Sequence, residues 1–307
     1  MSDSGFQSGE APSAPPPGAA PAPGSPPAPQ DADDTRSVHL RRLAGHPVTL
    51  SIGITLVVAA LVAGTLASGA IVIGLAAAGA TFVLVMLIVF MLASGKAKED
   101  FFRAYAEARG LSRVSKGGLP PGTPLLRRGD SRYAHQIMSG TLPGGVDGAV
   151  ALYTYEETSR DSEGDDQTTY YHFTVVLVDV PESAKHVGEL SAQRRVGFRF
   201  LDSAEDAFRT RERITLESEA LDQRCEIFAG RGENHNWLRQ LFSPTFVHWL
   251  GDEAPEGTAF ELVAGLLCVN VKGHHDSAAE LDGICQAAAV VATRVREESL
   301  EAGVSVA

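Results

Sequence analysis

The chain has 307 residues, with 26 basic and 38 acidic side chains and a formal net charge of −12. Most of the acidic excess lies beyond residue 95, and an acidic domain repels phosphate backbones, so general nucleic-acid binding is excluded, as is a broad basic surface lying on anionic lipid. Cys225, Cys268 and Cys285 form neither a C-x-x-C pair nor a zinc-ligand spacing and read as buried free thiols of a reducing compartment.

Residues 1–46 are a Pro/Ala-rich tail. Its stretch APSAPPPGAAPAPGSPPAP buries too little apolar surface to offset ordering entropy, so the tail is expected to be disordered and partly polyproline II. PxxP spacings such as Pro12 and Pro15 match ligands of SH3-type grooves, although so proline-dense a tract contains them by chance. The first apolar stretch begins too late and runs too long for a signal peptide.

Residues 47–95 contain no Asp, Glu, Lys or Arg. A single helix of that length would be about 74 Å long at 1.5 Å per residue. A bilayer core needs only about 20 residues. The stretch is therefore read as a two-helix transmembrane hairpin that turns at Ala67-Ser68-Gly69. Arg36, Arg41 and Arg42 precede it, and Lys96, Lys98, Arg103, Arg109 and Arg113 follow it. Basic residues on both flanks place both on the cytoplasmic side. Ala60, Gly64 and Ser68, and likewise Ala70, Gly74 and Ala78, lie four apart, a spacing that lets helix backbones approach closely. Neither span holds an ionisable side chain, so the hairpin reads as an anchor, not a transport path.

Residues 96–124 read as a juxtamembrane helix, Lys98 to Arg109, followed by the Gly/Pro linker 117–124. Phe101, Phe102 and Tyr105 are placed at the membrane interface, where aromatics are common. A soluble α+β domain, antiparallel sheet packed with helices, is expected over residues 125–298, with a short tail at 299–307. Ala149–Thr158 and Thr169–Val180 form a long β-hairpin, Tyr171, Phe173, Val175 and Leu177 sharing one face. Further strands are expected at Val196–Phe200, Arg213–Ser218, Arg224–Ala229, Phe260–Val263 and Leu266–Lys272. Trp237, Leu238, Leu241, Phe242, Phe246, Trp249 and Leu250 form a helical stripe, and Ser243-Pro244 splits it into two short helices. The last helix opens on a capping box, Ser277 and Glu280, and buries Leu281, Ile284, Cys285, Ala288, Val291, Ala292 and Val295.

Few residues offer chemistry. The hairpin tip Asp161, Glu163, Asp165 and Asp166 fails the calcium-loop pattern, because Asp166 and His172 stand where Gly and Glu are required. His274-His275-Asp276 is the densest group of metal-capable residues. Adjacent strand residues point to opposite faces, so a metal would need a further ligand such as His172, His235 or His248. The Gly140–Gly148 stretch lacks G-K-[ST] and reads as a turn. No catalytic, cofactor-binding or metal-binding residue is assigned, and no cofactor is expected. The expected partners are the lipid bilayer, through residues 47–95, and a protein partner or second copy.

With the hairpin, the strand Tyr170–Val180 and the segment Leu238-Arg239-Gln240-Leu241-Phe242-Ser243-Pro244-Thr245-Phe246, residues 47–298 resemble uncharacterised two-span membrane proteins of actinobacteria. The resemblance implies a multi-pass protein of the bacterial inner membrane with a cytoplasmic domain, and it implies no catalytic residue. The leading functional reading is a membrane-anchored interaction or scaffolding domain. One alternative is a membrane-bound hydrolase or metal-dependent enzyme using His274, His275 or Asp276. Another is an accessory subunit of a transport or secretion complex, with lateral contacts through Gly64 and Gly74.

Overall fold

The computed structural model describes residues 71–160, 166–194, 211–215 and 225–304. The tail, the first span and its turn, Asp161, Glu163 and Asp165 of the hairpin tip, and the strand expected at Val196–Phe200 lie outside the described residues. The elements in chain order begin with helix α1 (Ile71–Arg109), strand β1 (Ser112–Gly117), the single turn α2 (Pro124–Arg127) and strands β2 (Ser131–Thr141), β3 (Asp147–Arg160) and β4 (Asp166–Asp179). A 3₁₀ turn (Pro181–Lys185) leads to β5 (Glu189–Arg194), β6 (Arg211–Ile214) and β7 (Cys225–Gly230). Then come α3 (His235–Leu241), α4 (Pro244–His248), a π-helical turn (Trp249–Glu253), β8 (Ala259–Val263), β9 (Leu266–Lys272) and α5 (Ala278–Val304).

The described strands form one antiparallel sheet in the order β1-β2-β3-β4-β9-β8-β5-β7-β6. The expected α+β class is what the chain adopts. Helices cover one face. There the stripe of α5 meets Val150, Leu152, Val176, Leu190, Ile227 and Leu262 in the main core. All seven apolar residues expected on that stripe are buried. Ser277 caps α5, its Oγ accepting from the Glu280 amide at 3.2 Å.

On the other face, Tyr153, Tyr155, Phe173, Val175 and Leu177 form a second apolar cluster under Leu125 and Leu126 of α2. Strands β3 and β4 therefore bury both faces of their central segments, which accounts for near-continuous apolar runs instead of strict alternation. The β3–β4 hairpin, the β8–β9 hairpin and the split at Pro244 all stand where the sequence placed them.

Residues 96–124 take a different role from the one expected. The helix over Lys98–Arg109 is no separate element: α1 is one 39-residue helix that enters the domain from the uncharged stretch. Phe101, Phe102 and Tyr105 do not sit at a membrane interface. They are buried in the main core with Ala106. Burial of large apolar side chains contributes about 1.5–3 kcal/mol each, and here the sheet beneath the three rings supplies it. Residues 112–117, between the expected helix and the expected linker, form β1, paired with β2. Among the described residues no helix is long and apolar enough to cross a membrane. In the uncharged half of α1, side chains are described at residues 79–84, where Phe82, Val83 and Leu84 are exposed.

Candidate functional site

A concave feature of the described surface lies between the α4–π segment and α5. Ser243 takes an extended backbone conformation ahead of Pro244, and its Oγ accepts from the Phe246 amide at 3.4 Å. That cap starts a helix whose first position suits proline, which lacks the N–H that would go unpaired there. The helix loosens into a π turn over Trp249–Glu253, closed by the Ala254 amide donating to the Trp249 carbonyl at 2.9 Å. The wider turn places Trp249 beside Phe246, their ring centroids 5.7 Å apart and the planes 15° from parallel.

Opposite stands a second stripe of α5, Gln286, Ala289, Val290, Thr293 and Glu297, three and four residues apart and therefore on one helical face. Between the two lies an open groove of about 640 Å³. Phe246, Trp249, Ala289 and Val290 make its floor, and Val290 is 41% exposed. The rim is polar: His248, with Nδ1 2.6 Å from Asp252, and Glu253 on one side, Glu297 on the other. Gly144 closes one end, with φ +103°, and a Cβ there would come within 2.5 Å of the Ala289 Cβ. Arg294 braces the wall. It donates to the Gln240 carbonyl at 2.6 Å and the Leu241 carbonyl at 3.4 Å, and pairs with Glu298 at 2.5 Å. A cation on the last carbonyls of α3 satisfies groups the helix leaves open.

The stripe from Trp237 to Leu250 is mostly core: Trp237, Leu238, Leu241, Phe242, Phe246 and Leu250 are buried, and only Trp249 stands partly open. Gly140–Gly148 is the β2–β3 turn, with the Leu142 amide donating to the Val146 carbonyl.

The structure gives His274, His275 and Asp276 three separate destinations. His274 Nε2 lies 3.2 Å from both the Thr154 hydroxyl and the Tyr153 carbonyl. His275 lies 3.4 Å from Glu280 and 3.3 Å from the Lys272 carbonyl, and Asp276 pairs with Lys98 of α1 at 2.9 Å. His172 does come close to His274, with ring centroids 4.7 Å apart and Thr154 between them. His235 lies with Glu212, and His248 is in the groove rim. Among the described residues no three ligating side chains are placed to hold a metal. Burial, with a weaker opposing contact from the Tyr153 carbonyl, pulls His274 down to about 4. The three cysteines are buried free thiols, and burial pushes Cys285 up to about 12.

One polar group escaped sequence reasoning. Glu261 of β8 is buried on the second face, where it accepts from the Leu125 amide at 2.9 Å, and burial raises its pKa. Ser191 and Gln193 of β5 and Asn270 of β9 are buried nearby in the same register rows. Gln193 donates to Glu226 at 3.0 Å, and Arg211 pairs with Glu189. In Glu189–Arg194 these residues alternate with Leu190 and Ala192, a pattern identical to that of a solvent-facing strand row.

No family model and no curated protein matches the chain. Among solved structures, the crystal structure of the mycobacterial trehalose monomycolate transport factor A, TtfA, is similar at 12% identity and a TM-score of 0.40. The match covers 64% of this chain and 91% of that one.

Proposed function

We propose that the chain is a membrane-anchored interaction domain that presents the groove between α4 and α5 to a protein partner on the cytoplasmic side of a bacterial inner membrane. The observation that carries this reading is the stacked Phe246–Trp249 pair at the floor of an open groove, with exposed Val290 facing it. Apolar surface left open inside a polar rim marks a contact site. The uncharged stretch 47–95 supplies the anchor, and its second half belongs to the helix that ends in the domain core. Such a continuous helix holds the groove at a set orientation to the bilayer. That suits a scaffold, and equally an accessory subunit docked beside a transport or secretion complex. The enzyme reading has less support, since His274, His275 and Asp276 go to separate partners.

A photo-crosslinking amino acid at Val290, in native membranes, tests the proposal. The expected result is an adduct of defined mass that is lost when Thr293 is changed to Arg. Adducts no different from those of a crosslinker at Tyr170, an exposed control position away from the groove, would reject it.

A further inference from the structure

Taking the groove as the docking site proposed above, we infer that the partner segment it receives is a basic amphipathic helix, with its apolar face on Trp249 and Val290 and its lysines or arginines on Glu253 and Glu297. The walls select a helix. They are themselves helical, so their backbone groups are bonded along α5 and along the α4–π segment. An extended ligand gains its affinity from main-chain hydrogen bonds to a sheet edge, and these walls offer it no sheet edge. A helical ligand arrives with its own backbone satisfied and needs only a surface of side chains. That surface is a stripe on α5. Gln286, Ala289, Val290, Thr293, Glu297 and Leu300 fall within about 100° of the helix circumference. Val290 is 41% exposed and Leu300 is 60% exposed. From Gln286 to Leu300 the stripe runs about 21 Å, the length of a partner helix of about four turns. Trp249, partly open, faces it across the groove.

Charge selects the sign. Glu253 and Glu297 stand on opposite sides of the groove, both exposed, and neither pairs with a cation among the described residues. Arg294, the arginine in the groove wall, is taken up by Glu298 at 2.5 Å and by the Gln240 and Leu241 carbonyls. The groove therefore presents two uncompensated carboxylates flanking an apolar strip. A helix with apolar residues three and four apart and basic residues on either side is the complement. Like charge excludes an acidic helix. It also excludes α5 of a second copy, which would set Glu297 and Glu301 against the same two carboxylates. Because both carboxylates lie on the rim, they govern the rate of association and its salt dependence more than the tightness of the final contact.

The experiment uses the full chain in native membranes with a photo-crosslinking amino acid at Val290, and maps by mass spectrometry the peptide to which it joins. The expected attachment point lies in a segment of another protein that carries net positive charge and apolar residues at helical spacing. Glu253→Lys combined with Glu297→Lys is expected to lower the adduct yield about tenfold. The neutral pair, Glu253→Gln with Glu297→Gln, is expected to give a smaller loss and a weaker dependence on salt. Both positions are exposed, so neither pair is expected to move the melting midpoint. Where the Lys pair does lower the midpoint, the Gln pair decides: a yield and salt dependence equal to those of the unaltered chain overturn the assignment. An adduct mapped to an acidic or uncharged segment, or to a second copy of this chain, overturns it too, as does a yield that charge reversal leaves unchanged. In those cases the groove remains a docking site and only the basic helix is rejected. Adducts no different from those of a crosslinker at Tyr170 remove the docking site and the assignment together.

Discussion

Asp282 is the residue on which the junction of α1 with α5 turns. Its carboxylate accepts from the Tyr105 hydroxyl at 2.8 Å and from Arg109 Nε at 2.7 Å, with a second bond from the same guanidinium. Arg109 also lies over the Tyr105 ring, 3.9 Å from its centroid. Burial raises the Tyr105 hydroxyl far above its ordinary range, so it stays a neutral donor. Tyr105→Phe is expected to cost about 1 kcal/mol, one net hydrogen bond. Asp282→Ala, which strands both donors, is expected to cost about 2–3 kcal/mol; urea midpoints would separate the two. His274 makes a second expectation at this scale. Its folded pKa, about 4, lies below the unfolded value, about 6.5, so protons bind preferentially to the unfolded chain. The stability linked to it is complete above pH 6.5 and is lost as pH falls towards 4. His274→Gln is expected to flatten the midpoint-against-pH curve between those values. A curve with the same slope as the unaltered protein would show that His274 contributes none of it.

At the scale of elements, the groove depends on where short helices begin and end. Asn234 caps α3 through its side chain, which accepts from the Asn236 and Trp237 amides, and Ser243 caps α4. Ser243→Ala is expected to cost about 1 kcal/mol. Because α4 has only five residues, that loss should appear locally, as faster amide exchange at Phe246 and Val247 with little change in α5. The Ser243 cap was legible in the sequence, since Ser-Pro before an apolar stripe is a helix start, whereas the Asn234 cap emerged only in the structure. Strands β1, β2 and β5 were not legible. Strand β1 is a polar edge, with only Val114 and Leu111 near it as apolar signals. Strand β2 is interrupted by an irregularity between His135 and Met138, where Gln136 takes φ 51°, so its alternation changes phase midway.

For the whole molecule, the consequence of a continuous α1 is that the domain starts where the uncharged stretch ends. A fragment of residues 96–307 retains Phe101, Phe102 and Tyr105 and is expected to melt cooperatively. One starting at residue 111 loses all three rings and the Asp282 partners, and is expected to aggregate or show no cooperative transition. Equal melting of the two fragments would show that the end of α1 is dispensable to the core.

From the sequence alone came the uncharged stretch, the two hairpins, the capped final helix and the α+β class. These are local: charge, period and cap chemistry depend on residues within a few positions of one another. Tertiary structure alone decided which side of each pattern was used. Phe101, Phe102 and Tyr105 suit a membrane interface or a core equally well, and only the sheet beneath them selects the core. Glu261, Ser191 and Gln193 are polar residues that alternate with apolar ones as on a half-exposed strand, and only the tertiary structure buries them. The groove likewise needs two segments about 40 residues apart to meet, and no local pattern records a meeting over that separation.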